Sequence, residues 1–505
     1  MSQPICLKDL LLTPKSKKVG GSFVTIGNKE FYKISNYDLM RPFFISLVGH
    51  SDHWLFISTT GGLSAGRKNS ESALFPYYTD DKIEDSAEIT GSKTIIRVKE
   101  GNKLVLWEPF SIRNDGVYKV QRNLYKNRAG NIIIFEEINE DLNLSFQYSW
   151  NFSEEFGFVK KSSITSHADQ EVTIDVLDGI QNILPYGVNS AVQANTSNLV
   201  NAYRKSELHP DTGLGMFMLS AIIVDKAEPS EALKTTTVWS AGIDRNAILL
   251  SSIQVDKFRN GMDIENEPDV RAERGAYFVS STINIASGKT KSWQIVSEVN
   301  QDHADVFGLI AQLKHADDLM KLVEADLEHT NQSLKNLVGK SDGTQLTNDK
   351  LAISRHYANT LFNIMRGGIF DEDYKVDKKD FISYIHTINN PLSKKQSDFF
   401  DSLNHEITYQ DLIASAQANG NADVVRLCYE YLPLTFSRRH GDPSRPWNKF
   451  TIAIQDEACH NLKAGFHIML DFNFLHRKEY SHGLHVHSHQ KYKQTSDMHL
   501  HYLVR

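Results

Sequence analysis

NLSFQYSW, residues Asn143–Trp150, decides the fold. Leu144, Phe146, Tyr148 and Trp150 alternate with Ser145, Gln147 and Ser149, the period of two that gives a strand one apolar and one polar face. The same texture extends in both directions. TIIRV (Thr94–Val98), KLVLWEP (Lys103–Pro109) and NIIIFEEI (Asn131–Ile138) come before it; EVTIDVL (Glu171–Leu177), TTTVWSAGI (Thr235–Ile243), AYFVSSTINI (Ala276–Ile285) and KSWQIVSEV (Lys291–Val299) come after. Runs of this kind, separated by Gly, Asn and Asp, predict antiparallel sheets. They fill residues 21–300, too much chain for one small sandwich, so a large two-sheet β-domain is expected behind a short lead at 1–20.

The period changes at Asp302. From Asp302 to Gly339, Val306, Leu309, Ile310, Leu313, Leu319, Leu322, Leu327 and Leu334 recur at three and four, which predicts one or two linker helices over 301–345. LAISRHYANTLFNIMRGG (Leu351–Gly368) predicts another helix ending at paired glycines, and Thr408–Phe436 at least two more.

Composition narrows the function classes. A chain of 505 residues, 40% hydrophobic, can bury large cores. A net charge of −7 with mixed signs gives no general attraction to nucleic acid or an anionic membrane. The N-terminus has no apolar core of signal-peptide length, and no apolar run approaches a membrane span. Cys6, Cys428 and Cys459 are too scattered for a disulfide framework. A cytoplasmic protein without membrane or nucleic-acid partners is the expectation. No Walker loop, nucleotide-binding glycine fingerprint, GxSxG or HExxH occurs, so no cofactor is expected.

The densest chemistry is GGLSAGRKNSESALFPYYTDDKI, Gly61–Ile83. Arg67, Lys68 and Asn69 offer donors, Tyr77 and Tyr78 offer flat faces with polar tips, and Asp80, Asp81 and Lys82 add acceptors and a charge. A sugar ring, hydroxyl-rich with one apolar face, suits that set. The residue types equally suit a long hairpin loop with solvated charges and aromatics capping a core.

With FYKISNYDLMRPFF (Phe31–Phe44) before it and VLDGIQNILPYG (Val176–Gly187) after it, this segment resembles the N-terminal region of glycoside phosphorylases of the cellobiose and chitobiose phosphorylase type, GH94-like, over most of residues 20–450. The resemblance implies a galactose-mutarotase-like β-supersandwich, a helical linker and an (α/α)6 barrel, of which residues 346–457 would be the opening part. It implies inverting phosphorolysis or transfer of β-linked glucosides; in phosphorolysis inorganic phosphate is co-substrate and nucleophile, so that one protein acid suffices where an inverting hydrolase needs two carboxylates. That acid lies deep in the barrel, beyond the matching residues, and is carried onto no residue here. An oligosaccharide ligand and a homodimer are the partners implied.

Two further stretches carry chemistry. Thr435–Phe450 gathers Arg438, Arg439, His440, Arg445 and Trp447, a set that suits a phosphate or sugar subsite and equally a structural ion-pair loop. Histidines crowd between His460 and His501; His485, His487 and His489 alternate, yet the tract shows no clean period and no metal site is assigned to it. The resemblance fades near residue 457, which sets the expectation of a frameshift or truncation there and of an aberrant tail at 458–505. Two functions therefore stand: a carbohydrate-active protein of the phosphorylase type whose catalytic acid is missing from this chain, or a non-catalytic carbohydrate-binding or structural fragment.

Overall fold

The computed structural model describes residues 18–78, 80–221, 233–316, 318–340, 344, 348–365, 368–370, 375–431 and 434–436, with short backbone stretches at 6–7, 10–11, 451–455 and 461–463. The chain divides into two compact units near Leu334.

In the first unit the alternating runs pair as expected, all antiparallel, into an eleven-stranded, a five-stranded and a four-stranded sheet. The eleven-stranded sheet has Leu144–Ser153 between Ile133–Asn139 and Gly157–Ser166, and its far edge runs through Thr235–Ala241, Leu214–Leu219 and Arg204–His209 to Asp269–Arg271. Val172–Ile183 sits at the centre of the five-stranded sheet, between Gly91–Glu100 and Gly275–Ile285. His53–Ser58 and Leu63–Arg67 are the middle strands of the small sheet.

One apolar cluster joins the three sheets. Leu144, Phe146, Tyr148 and Trp150 meet Ile96, Val176 and Ile180 from the five-stranded sheet and Leu55, Ile57 and Leu63 from the small one. Burial of such side chains stabilises each by about 1.5–3 kcal/mol, which makes this cluster the main source of the unit's stability. The result is a large antiparallel β-sandwich, the fold class that period two predicts.

The strands end at Gln301, and Asp302 starts a helix, His303–His315, through a capping box in which its carboxylate accepts from the Asp305 backbone N–H while the Asp305 side chain accepts from that of Asp302. A second helix, Leu319–Lys340, follows. Val306, Leu309, Ile310, Leu313 and Leu319 of the predicted stripe are half-buried and Leu327 is buried, all packed with Trp239 and Val296 on the sheet. Among the described residues no helix is long and apolar enough to cross a membrane.

In the second unit the helix Lys350–Met365 precedes a lobe with a core of its own. Phe381, Tyr384, Phe400 and Tyr431 form an aromatic nest, closed by Leu412, Leu427 and Cys428. At the base of the lobe Gly368–Phe370 pairs antiparallel with Leu434–Phe436, and inside it Lys375–Asp377 pairs with Glu406–Thr408.

Candidate functional site

The loop singled out in the sequence is largely part of the small sheet. Leu63, Ala65, Leu74 and Phe75 are fully buried. Gly66 lies opposite Trp54, where an added Cβ would stand 2.6 Å from the indole and 2.6 Å from the Ser72 carbonyl, so only glycine fits.

Its polar residues have separate fates. Arg67 is a fork between two carboxylates, with Nε 2.7 Å from Asp52 Oδ1 and Nη1 2.6 Å from Glu298 Oε2. The Asn69 side chain accepts from the Glu71 backbone N–H at 3.1 Å and caps a short 3-10 turn. Tyr77 is exposed and meets Trp54 edge-on at 5.5 Å. Asp80 opens a short helix, Asp80–Asp85, on which Asp81 and Lys82 are exposed. Tyr78, half-buried, lines a cleft.

That cleft is built where the Val172–Ile183 strand breaks register. Its pairing with Gly275–Ile285 shifts between Gln181 and Ile183, leaving Asn182 as the bulge residue at φ 60. A bulge re-aims one side chain, and a left-handed φ at a non-glycine residue is held only by strong surroundings. Here Asn182 Nδ2 donates to Thr90 Oγ1 at 2.9 Å in a buried bond. The Leu184 N–H donates to the Leu74 carbonyl at 2.9 Å, and Thr236 Oγ1 donates to the Leu184 carbonyl at 2.8 Å. The strand exit is thereby tied to both neighbouring sheets.

The helix Ser190–Tyr203 forms another wall. Its N-cap Asn189 accepts from the Val192 N–H, and Val200 packs with Leu184, Val188 and Leu219. Gln193, Ser197, Asn198 and Asn201 border the cleft from this helix. Arg204, the next residue, starts a strand whose backbone is fixed by the Ala272 N–H donating to its carbonyl at 3.0 Å. Arg274 stands beside Gly275, the residue paired with Ile183 across the bulge. About 450 Å³ of empty space lies among these residues, the solvent-open part included.

The electrostatics are one-sided. Arg204 is 8% exposed; its Nη1 donates to the Ile183 carbonyl at 3.1 Å, and its buried Nε has no hydrogen-bond partner among the described residues. Burial, and then the charge of Arg274, bring Arg204 down to about 10, which still leaves it protonated at neutral pH. Among the described residues neither guanidinium forms an ion pair and no carboxylate lines the cleft. Such a site can hold hydroxyls and oxyanions.

The sequence reading reached one of these residues by intent, Tyr78. Asn182 lies within Val176–Gly187, where the sequence alone gives it no role, and Arg204 and Arg274 sit in no recognisable pattern. Arg438, Arg439, His440, Arg445 and Trp447, together with the histidine tract, lie outside the described residues.

A smaller cavity, bordered by Thr60, Gly61, Glu88, Lys93, Ser111 and Tyr148, is by contrast internally compensated. Lys93 bridges Glu88 and Glu108, and Arg259 grips Glu108 through two bonds of 2.9 and 3.0 Å. Glu88 also accepts from Ser111 Oγ and the Ile112 N–H, both at 3.0 Å. Every charge in it is matched, the signature of a structural network.

Residues 370–433, the lobe of the second unit, match the family model for glycoside hydrolase family 149 insertion domain 1. No curated protein matches the chain. Among solved structures the chain is similar to a polysaccharide lyase at 10% identity, covering 54% of this chain and 34% of that one, with a TM-score of 0.30. It is similar to a GalM/aldose epimerase homologue from C. elegans at 10% identity, over 52% of this chain and 100% of that one, with a TM-score of 0.29. A family GH92 alpha-mannosidase from Bacteroides thetaiotaomicron gives 8% identity, 66% and 41% coverage and a TM-score of 0.31. The chain thus spans about a third of the length of the lyase. Over residues 370–433, then, the chain is similar to an insertion domain of glycoside hydrolase family 149.

Proposed function

We propose that this chain is a carbohydrate-active protein of the glycoside phosphorylase type, in which the cleft at Tyr78 holds an oligosaccharide on the β-rich unit. The observation that carries this reading is the match of residues 370–433 to an insertion domain of a glycoside hydrolase family. The cleft supports it chemically. Tyr78 supplies an aromatic face, and Asn182, Asn198, Asn201 and Ser197 supply the amides and hydroxyl that pair with sugar hydroxyls. On this reading Lys350–Met365 is the opening helix of a barrel and the lobe is inserted after it. Inorganic phosphate is the co-substrate, the protein is cytoplasmic, and it works as a homodimer.

A second reading, binding without turnover, is favoured by one observation: among the described residues the lining of the cleft has no Asp or Glu to act as general acid. We therefore assign the cleft to binding and leave the proton donor off every described residue. The test is to incubate the protein with β-linked glucose disaccharides and inorganic phosphate, to assay sugar phosphate, and to titrate the same disaccharides calorimetrically against wild type and Tyr78→Ala. Saturable binding that Tyr78→Ala abolishes, with no sugar phosphate released, supports the binding reading. Release of sugar phosphate overturns the loss of the acid, and a wild type that binds neither these disaccharides nor a charged sugar overturns the cleft as a sugar site.

A further inference from the structure

Two guanidinium groups converge on the Tyr78 cleft, and nothing described in the protein neutralises them. The rest of the first unit treats its buried arginines differently. Arg67 is forked by Asp52 and Glu298, Arg122 Nε is 2.7 Å from Glu137 Oε2, and Arg259 grips Glu108. Arg204 is as deeply placed as Arg122, at 8% against 9% exposure, and has a backbone carbonyl where Arg122 has a carboxylate. A buried cation left beside a second cation is costly, and a buried donor left unpaired adds to that cost. Both penalties are relieved by the same guest, an oxyanion held in the cleft between the guanidinium groups of Arg204 and the exposed Arg274. A guanidinium fork is shaped for this, whether the guest oxygens belong to a carboxylate or to a phosphate.

We infer that the Tyr78 cleft selects a sugar bearing an oxyanion, a uronate carboxylate or a sugar phosphate, with Arg204 and Arg274 as its specificity determinants. This rests on the reading of the cleft as a sugar site. Tyr78 takes the apolar face of the ring, the asparagines of the Ser190–Tyr203 helix take its hydroxyls, and Arg204 and Arg274 fix the charged substituent. The neutral sugars of an ordinary β-glucan would leave the arginines as they are.

The experiment is calorimetric titration of the full chain with methyl β-D-glucuronide, α-D-glucose 1-phosphate, methyl β-D-glucoside and inorganic phosphate, at low and high salt. The charged sugars are expected to bind at least about tenfold more tightly than the neutral glucoside, and the advantage to shrink as salt screens the exposed Arg274. Arg274→Gln, at an exposed position, should keep the wild-type melting temperature and lose most of that advantage; Arg204→Lys should lose the geometric part of it while keeping the charge. Equal affinity for charged and neutral sugars overturns this inference and leaves the sugar reading standing. Binding of inorganic phosphate with no sugar bound keeps the oxyanion subsite and overturns the sugar reading. Preference for charged sugars unchanged in Arg274→Gln overturns the assignment to this cleft.

Discussion

Lys160 and Asp178 form an ion pair, Nζ to Oδ1 at 2.5 Å, and neither side chain reaches solvent. Asp178 has its remaining needs met by Thr94 Oγ1 at 2.6 Å on one oxygen and by Ser162 Oγ at 2.9 Å and Trp293 Nε1 at 2.7 Å on the other. These donors come from both large sheets, so one carboxylate pins the sandwich faces together through its polar centre. Burial lowers the lysine below its ordinary value, and the carboxylate opposes that shift.

Removing one partner should hurt more than removing both. Lys160→Met leaves a buried carboxylate unpaired and is expected to cost about 3–5 kcal/mol. Adding Asp178→Asn to it should recover part of the loss, as urea unfolding of the single and double variants would measure. Simple additivity would mean that the pair is not coupled.

His53 makes stability depend on acidity. Its ring stacks on Phe152 at 5.2 Å and meets Phe158 edge-on at 4.9 Å; Nδ1 is 2.8 Å from Ser51 Oγ, and Nε2 is buried without a partner among the described residues. Burial, and then the charge of Arg67, hold it down to about 3, so the folded protein keeps it neutral. An unfolded histidine titrates at about 6.5. Between those values the unfolded chain binds a proton that the folded chain refuses, and stability falls as pH falls, by about 1.4 kcal/mol per unit at most. The slope of unfolding free energy between pH 6 and 4 should flatten by roughly that amount in His53→Gln, and an unchanged slope would rule this group out.

Arg67 and Tyr78 belong to the same Gly61–Ile83 stretch and should behave oppositely. Arg67→Ala strips the partner from Glu298, 7% exposed and already raised by burial, and is expected to cost about 3 kcal/mol. Tyr78→Ala should leave the melting temperature within a degree or two and weaken saccharide binding. Thermal melts run beside binding titrations decide it; equal destabilisation by both would assign Tyr78 to packing.

Cys428 should be chemically silent in the folded lobe. It is fully buried, and burial pushes its thiol up to about 12. Alkylation at pH 8 is expected to run roughly a thousandfold slower than in the unfolded chain, since the thiolate is the reactive form. Mass spectrometry of the peptide carrying Cys428, with and without denaturant, reads this directly.

The parts of the fold that a local period encodes were legible in the sequence. Leu144, Phe146, Tyr148 and Trp150 are buried where alternation put them, and the change of period at Asp302 coincides with a capping box. Features set by distant partners were not. Arg67 reads as a free donor until its partner Glu298 is found 231 residues away. Arg204 and Arg274 meet because a helix and a bulge bring them to one cleft, and no local pattern marks a residue that will end without a counter-charge. Tyr78 stands where aromatic and polar residues crowd in the sequence, a signal that picks out a stretch of chain more than a role.

The pairing of Gly368–Phe370 with Leu434–Phe436 has a consequence for how such a chain can change over evolution. The polypeptide leaves for the lobe and returns from it one strand spacing apart, about 4.8 Å. The described core of the lobe between them runs from Val376 to Tyr431. Such a cassette can be acquired, swapped or trimmed to a tight turn while the backbone on either side keeps its register, so sequence drift within it is decoupled from the chain that carries it.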